Sequence, residues 1–396
     1  MQFLVWMITI CALALVYPFA IHPFIARALA AVLGRKAQGE PAEWPTVSIL
    51  IPVYNEGQSI RAKLENTLSL RYPGPAPEVI VISDESEDDT DAIVQEFTSR
   101  GVRLIRQSPR AGKVAGLHLG YEASSGALLL LTDANALLDG DALTLLVRPF
   151  QDEKVGIVSG SFRLETKSGG SPGRLRQAYR SLVGISKAAE GRMGRCIGSD
   201  GPITAIRREV YPSLDQCPGN EANDLSMPLW VLSQGYQSLY LPEARAVGAP
   251  RPRVGDEYGR LLRMSDQWWS TTFRMVPVFL RRGAFLILFL LWGRRVNINL
   301  VPLFLLLIVA CSLALAVQSP AFGAIPVAAG LVTALGLVGW HREKRKQRLG
   351  PLMPPTLVLM SLVAMLAGFV RALLGRKPTA TWNVSRGSQG QGGENE

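Results

Sequence analysis

Histidine and cysteine are scarce in this chain. Its three histidines, His22, His118 and His341, lie far apart, so neither a histidine-rich metal cluster nor a catalytic histidine constellation is expected. The four cysteines, Cys11, Cys196, Cys217 and Cys311, form no Cys-x-x-Cys pair, and two of them sit inside apolar runs. That argues against a disulfide framework and against a zinc site. No Gly-x-Gly-x-x-Gly and no Walker-type loop occurs, which disfavours dinucleotide-binding and P-loop enzymes. Charge is sparse as well: 19% of the 396 residues are charged against 48% hydrophobic, so part of the chain is expected in lipid. The net charge of +10 is not gathered into a basic run interleaved with aromatics; the basic residues cluster beside apolar segments. A membrane is therefore the expected partner, and nucleic acid is not.

Residues 1–33 carry no charge until Arg27 and are long enough to cross a bilayer core. A cleaved signal peptide would need a basic start and a shorter apolar run. An uncleaved transmembrane helix is predicted, with a break near Pro18 or Pro23. Arg35 and Lys36 follow it, placing the next domain in the cytoplasm. Residues 37–46 read as a linker.

From Val47 strands alternate with helices. VSILIPVY reads as a buried strand, and Asn55-Glu56-Gly57 turns into a helix over about Gln58–Ser69. Glu78–Ser83 is a second strand that ends in the acidic run from Asp84, followed by a helix to about Arg100. Val102–Arg106 is a third strand, Gly112–Ser124 a helix, and Leu128–Leu131 a fourth strand. This alternation predicts a doubly wound α/β sheet with right-handed crossovers. The fourth strand runs into Thr132, Asp133, Ala134 and Asn135. In such a sheet ligands bind at the carboxyl ends of the strands. Two oxygen-bearing side chains one residue apart at that edge can share a hard cation. Asp and Asn are also common turn formers, and the acidic residues Asp88, Asp89 and Asp91 read as a capping loop. Val155–Phe162 reads as a further strand, Gly198–Ile206 as a Gly-rich turn with a short strand, and Leu225–Gln234 as a helix stopped by Gly235.

Between Tyr258 and Trp292 the chain is basic and aromatic, with Arg260, Arg263, Trp268, Trp269, Arg274, Arg281 and Arg282 set among apolar residues. Helices at a membrane surface have this pattern. Apolar runs at 298–317 and 321–340 form a hairpin, the basic segment 341–348 is expected inside, and 351–374 is a last span. This topology requires that 276–292 does not cross. The expected organisation is a transmembrane helix at 1–33, an α/β domain at 44–250, interfacial helices at 251–297, transmembrane helices at 298–375 and a disordered tail at 376–396.

VSILIPVYNE, the strand ending in Ser83-Asp84-Glu85-Ser86, the Gly112-Lys113 pair, TDAN, and Asn223-Asp224 with GYQSLYLPEARAVG downstream come in that order. Together they resemble the family 2 glycosyltransferases, GT-A-fold and usually inverting enzymes, here of the membrane-integrated kind related to polysaccharide synthases and lipid glycosyltransferases. The resemblance covers about residues 46–265. It implies a Rossmann-like, doubly wound cytoplasmic domain flanked by transmembrane and interfacial helices, in a multi-pass protein of the cell (inner) membrane.

The resemblance carries roles onto single residues. Pro52, Tyr54, Asn55 and Glu56 take the turn that lines the nucleotide, and Asp84 the aspartate that contacts uracil or ribose. Lys113 falls where a basic residue approaches the diphosphate. Asp133 and Asn135 take the two positions of the metal motif for a divalent cation, Mg or Mn. Asn135 keeps an oxygen but loses a charge, so weaker metal binding is expected. Asp224 matches the general base; without the family it reads as a helix N-cap. Asn223 stands beside it, and Gly198, Ser199, Asp200 and Gly201 resemble the turn that shapes the acceptor site. Where related synthases have Gln-x-x-Arg-Trp, this chain has Arg260, Arg263 and Met264, which keeps only the arginine for the diphosphate. Trp268 and Trp269 follow, either substituting at the acceptor site or anchoring the interface.

The resemblance implies inverting transfer from a nucleotide-diphosphate sugar, UDP-linked by family default, to a lipid or lipid-linked acceptor. Processive synthesis of an extracellular polysaccharide and an inactive GT-A scaffold subunit are the alternatives. The partners expected are a nucleotide-sugar donor, a lipid or glycan acceptor and the membrane.

Overall fold

The structure, a computed structural model, describes residues 1–35, 39, 41–164, 171–213, 224–248, 257–345, 347 and 349–376. Asn223, Cys217 and the expected disordered tail from residue 377 onward lie outside the described residues.

Helix α1 (Gln2–Val16) passes through a π-helical turn, Tyr17–Ile21, into α2 (His22–Leu33), so the irregularity falls at Pro18, where a backbone N–H is missing. The α/β part follows: β1 (Val47–Val53), α3 (Gly57–Leu68), β2 (Glu78–Ser83), α4 (Thr90–Gln95), β3 (Val102–Arg106), α5 (Lys113–Ala123) and β4 (Leu128–Leu131). It continues with β5 (Ala136–Leu138), α6 (Ala142–Val147), β6 (Val155–Leu164), α7 (Ser171–Arg192), β7 (Thr204–Arg207), α8 (Ser226–Ser233) and β8 (Gln237–Gly248).

One eight-stranded sheet has the order β3-β2-β1-β4-β7-β6-β8-β5. Strands β1 to β4 pair in parallel; β7 then runs antiparallel to both β4 and β6, and β5 antiparallel to β8. The doubly wound pattern read from the sequence thus holds for the first four strands, and the remainder is mixed. Two strands escaped the reading. β5 has only three residues, too few to show a period, and β8 contains Pro242 and two charged residues on its exposed side.

The central strands are apolar, built of Ile, Val and Leu, because helices cover both faces. Ile49, Leu50 and Ile51 of β1 and all of Ile80, Val81 and Ile82 of β2 are sealed from solvent. One face packs on α3 through Ile60 and Leu64, the other on α5 through Leu117. Each fully buried Leu or Ile contributes about 1.5–3 kcal/mol relative to exposure.

Beyond the sheet, α9 (Glu257–Arg281) is a single long helix. It is followed by α10 (Phe285–Leu291), a π-helical turn Trp292–Val296, α11 (Asn297–Asn299), α12 (Val301–Ala316), α13 (Ala324–Lys344) and α14 (Met353–Leu373). Three helices among the described residues, Gln2–Leu33, Pro320–Lys344 and Gly350–Leu373, are long and apolar enough to cross a membrane. A fourth crossing is available if Phe285–Asn299 and Val301–Ala316, bent by 60°, act as one span. The bend falls at Leu300, just before Pro302 in the first turn of α12, and Arg294 and Arg295 interrupt the apolar run one to two turns earlier. Helix α9 lies against α14: Ser265 Oγ donates to Met365 O at 3.3 Å, Asp266 pairs with Arg371 at 3.2 Å, and Trp269 packs edge-on against Phe369.

Candidate functional site

The sheet order reverses beside β1, which has β2 on one side and β4 on the other. Open α/β sheets bind ligands in the crevice at such a point. A pocket lies there, lined by Pro52 from β1, Lys113 from α5, Thr132 from the end of β4, and Ser199, Gly201 and Asp224 from the opposite wall.

The first two strand ends are locked to each other. Asn55, in the left-handed region at φ 52°, receives the Glu87 N–H on its Oδ1 at 2.8 Å and donates its own N–H to Ser86 Oγ at 3.2 Å. Glu56 receives Ser59 Oγ at 2.6 Å, which places it at the start of α3. Asp84 is nearly buried and holds the loop before α5. Its Oδ1 accepts from Ala111 N at 2.9 Å, its Oδ2 accepts from Gly112 N at 3.0 Å, and Gln107 Nε2 also donates to it. Gly112 has φ 90°, which glycine adopts without strain. Arg110 on this loop lies 3.6 Å above the Tyr54 ring centroid, with its Nε 3.5 Å from Asp84 Oδ2.

Lys113 Nζ stands 2.6 Å from Asp133 Oδ1, at the mouth of the pocket. In the turn after β4, Asp133 and Asn135 are partly exposed while Ala134 is buried. These two residues offer oxygen donors on one edge, a set that suits a hard cation whose remaining ligands come from a diphosphate and water. Among the described residues no group of three or more His, Cys, Asp or Glu could hold a metal by itself.

Asp224 does not cap α8, whose N-cap is Leu225. Its Oδ1 accepts from Gly201 N at 3.0 Å and its carbonyl from Ser199 N at 2.7 Å. The close approach requires glycine: a Cβ at residue 201 would sit 2.6 Å from that Oδ1. Asp224 is exposed and lines the pocket, yet the protein packed around its carboxyl desolvates it and pushes its pKa up. Lys187 opposes this rise, Asp200 adds to it, and Lys113 and Arg295 oppose it more weakly. Asp200 itself is tied into the wall, with Lys187 Nζ on Oδ1 at 2.5 Å and Phe162 N on Oδ2 at 3.0 Å.

Trp268 stacks on the Arg295 guanidinium, 5.2 Å to the ring centroid, and a Cβ at Gly198 would lie 3.1 Å from Arg295 Nη2. Trp268 thus approaches the turn at Gly198 through Arg295. Arg263 is on α9, partly buried, and is absent from the pocket lining. Asn223 lies outside the described residues. Of the residues singled out in the sequence, Pro52, Lys113, Ser199 and Asp224 share the pocket, with Asp133 held beside it by Lys113.

Lys63, Lys187, Arg110, Glu190 and Arg294 escaped the sequence reading. Lys63 occupies the apolar stripe of α3 with Ile60, Leu64 and Thr67, a charged residue at a core position. Its Nζ donates to Thr132 Oγ1 at 2.8 Å and to Ala136 O at 2.6 Å. Burial pulls the ammonium pKa down to about 7, although Asp133 acts in the other direction. For Arg294 and its neighbour Arg295 the missed signal was charge inside an apolar run, a pattern that marks functional positions.

Residues 48–214 match the family model for glycosyl transferase family 2. The chain is 28% identical over 272 residues to an N-acetylglucosaminyltransferase of Neorhizobium galegae, covering 63% of this chain and 62% of that protein. It is 28% identical over 202 residues to a poly-beta-1,6-N-acetyl-D-glucosamine synthase of Staphylococcus epidermidis, covering 50% of this chain and 48% of that protein. It therefore spans about half to three-fifths of the length of these relatives. A solved structure, the mannosyltransferase PcManGT from Pyrobaculum calidifontis in complex with GDP-Man and Mn2+, superposes with a TM-score of 0.66 at 21% identity. That likeness covers 93% of this chain and 99% of the other, and the shared architecture is the GT-A fold.

Proposed function

We propose, from the premise that this chain carries a family 2 glycosyltransferase domain, that its cleft moves a sugar from a nucleotide-diphosphate donor to a hydroxyl of a lipid or lipid-linked acceptor. One observation carries the reading: Lys113, paired with Asp133, and Asp224 face the same pocket at the reversal of the sheet.

The chemistry follows from those positions. Asp224 takes the proton of the acceptor hydroxyl while that oxygen bonds to the anomeric carbon, and the bond to the diphosphate breaks on the opposite face, so configuration inverts. Its raised pKa makes it a better proton acceptor than an ordinary aspartate. Lys113 meets the negative charge gathering on the departing nucleoside diphosphate. A divalent cation held by Asp133 and Asn135 would add electrostatic stabilisation at that leaving group. Pro52, Tyr54, Asn55, Glu56 and the loop organised by Asp84 form the nucleotide end. Arg263 reaches the diphosphate only if donor binding draws α9 inward. Ser199, Asp200, Gly198 and Trp268 form the acceptor wall.

The domain division drawn from the sequence fits this reading, with the cytoplasmic side assigned from Arg35 behind the first span. Processive synthesis is the second reading, favoured by the polymer synthase among the relatives. Against it stand Arg260 and Met264 in the processivity motif and the small set of apolar spans among the described residues. Detergent-purified protein supplied with Mn2+ or Mg2+, a panel of UDP- and GDP-sugars and a host lipid extract tests the choice by mass spectrometry. One or two hexose-type additions to a lipid support the proposal; a ladder of masses supports the synthase. No product and no nucleotide binding would leave the scaffold reading.

A further inference from the structure

The turn that presents Asp133 is held from inside the domain. Residues 132 and 136 bracket it, and a single ammonium, Lys63 Nζ, donates to both: to Thr132 Oγ1 at 2.8 Å and to Ala136 O at 2.6 Å. Between them Ala134 points into the core while Asp133 and Asn135 stay partly exposed. One helical turn along α3, Asn66 grips the strand that follows, with Nδ2 donating to Leu138 O and Oδ1 accepting from Leu138 N, each at 2.8 Å. Lys63 is completely sealed from solvent and sits between Ile60 and Leu64, both also sealed. A lysine is almost never fully buried without a task, because desolvating its charge is costly. An apolar residue would fill this space more cheaply, but it would leave the Ala136 carbonyl and the Thr132 hydroxyl without these partners.

We propose that Lys63, assisted by Asn66, is the positioning residue of the Asp133 turn, fixing Asp133 and Asn135 in the orientation that receives the cation of a metal–diphosphate pair. The inference rests on the donor reading above and extends it to a residue that never touches the donor. Because position 135 is an amide, the site has one carboxylate. A turn free to rotate would lose the weaker of its two oxygens, so rigid support matters more here than in a site with two carboxylates.

The test uses the full-length protein in detergent and compares native chain with Lys63→Met, which keeps an unbranched side chain one atom shorter and suits an apolar site. UDP affinity is measured by calorimetry in EDTA and again with Mn2+, together with thermal unfolding. In EDTA the variant should bind UDP as the native protein does, while the gain in affinity brought by Mn2+ falls by about tenfold or more. An undiminished Mn2+ gain overturns the proposal. So does an equal loss with and without Mn2+ accompanied by a lowered melting point, which would mean that Lys63 serves only the fold. Should Lys63→Met not fold, Asn66→Ala is read in the same way, with a smaller loss of the Mn2+ gain expected and an unchanged gain overturning the proposal. A native chain that binds no UDP or GDP with or without metal would overturn the donor reading and this inference together.

Discussion

Arg294 meets Glu190 through two parallel hydrogen bonds of 2.8 Å, Nε to Oε1 and Nη2 to Oε2, with both side chains almost sealed from solvent. Glu190 Oε2 also accepts from Ile197 N at 3.2 Å, one residue before Gly198, and His22 Nε2 of α2 lies 3.9 Å from Oε1. Burial alone would raise the Glu190 pKa, but Arg294 and His22 together bring it below its ordinary value. One ion pair therefore joins the first apolar helix, the end of α7, the turn that starts at Gly198 and the arginine-bearing π-helical turn before α12. Removing one partner leaves a buried charge. Arg294→Met should cost about 3–5 kcal/mol, and the double variant Glu190→Leu with Arg294→Met should recover most of it. Denaturant unfolding of the two variants in detergent checks this; equal stability of native protein and Arg294→Met contradicts it.

The proposed base, Asp224, has a pH signature. Desolvation raises the Asp224 pKa, and a general base works only when deprotonated. The rate of transfer should therefore rise with pH through a limb centred above the ordinary aspartate value and level off beyond it. Initial rates at saturating donor between pH 4 and 8 locate that limb. A limb at the ordinary aspartate position would mean that the desolvated carboxyl is not the group being titrated.

At the nucleotide end, the Arg110 guanidinium covers the Tyr54 ring and reaches towards Asp84. A stacked cation of this kind contributes about 0.5–2 kcal/mol to holding this loop, so Arg110→Ala should weaken nucleoside diphosphate binding by up to about thirtyfold. Calorimetry with UDP measures the change, and tighter binding by the variant would show that Arg110 obstructs the site.

The second position of the metal motif is open to a gain of function. Asn135→Asp adds a carboxylate beside Asp133, and hard cations prefer charged oxygen ligands. The concentration of Mn2+ needed for half-maximal UDP binding should fall several-fold in this variant. No change would place residue 135 away from the cation.

Strands β1 to β4 were legible because they carry short apolar runs, as in Ile49-Leu50-Ile51 and Leu128–Leu131, and because Gly or acidic turns bound them. Lys113, Asp133 and Asp224 were legible as polar residues at strand ends and turns in a known order. Lys63 was not, since a lysine on a helix ordinarily marks its solvated face; only its spacing from Ile60 and Leu64 betrays it. The hold of Asp84 on the loop at Ala111 and Gly112 uses backbone donors, which leave no trace in residue types. Nor does the sequence of α7, rich in small and basic residues, announce that Lys187 and Glu190 are themselves buried, each paired with an opposite charge. Asp224 shows the reverse case. Its local sequence reads as a cap, and only the long-range bond from Gly201 N shows that the carboxylate is turned to the cleft instead.

The most direct test compares native protein with Asp224→Asn, supplying the same donor and lipid acceptor and following both UDP binding and product by mass spectrometry. The expected result is a loss of transfer of about a hundredfold or more with donor binding kept. Transfer at the native rate by Asp224→Asn would contradict the assignment of the cleft and its base.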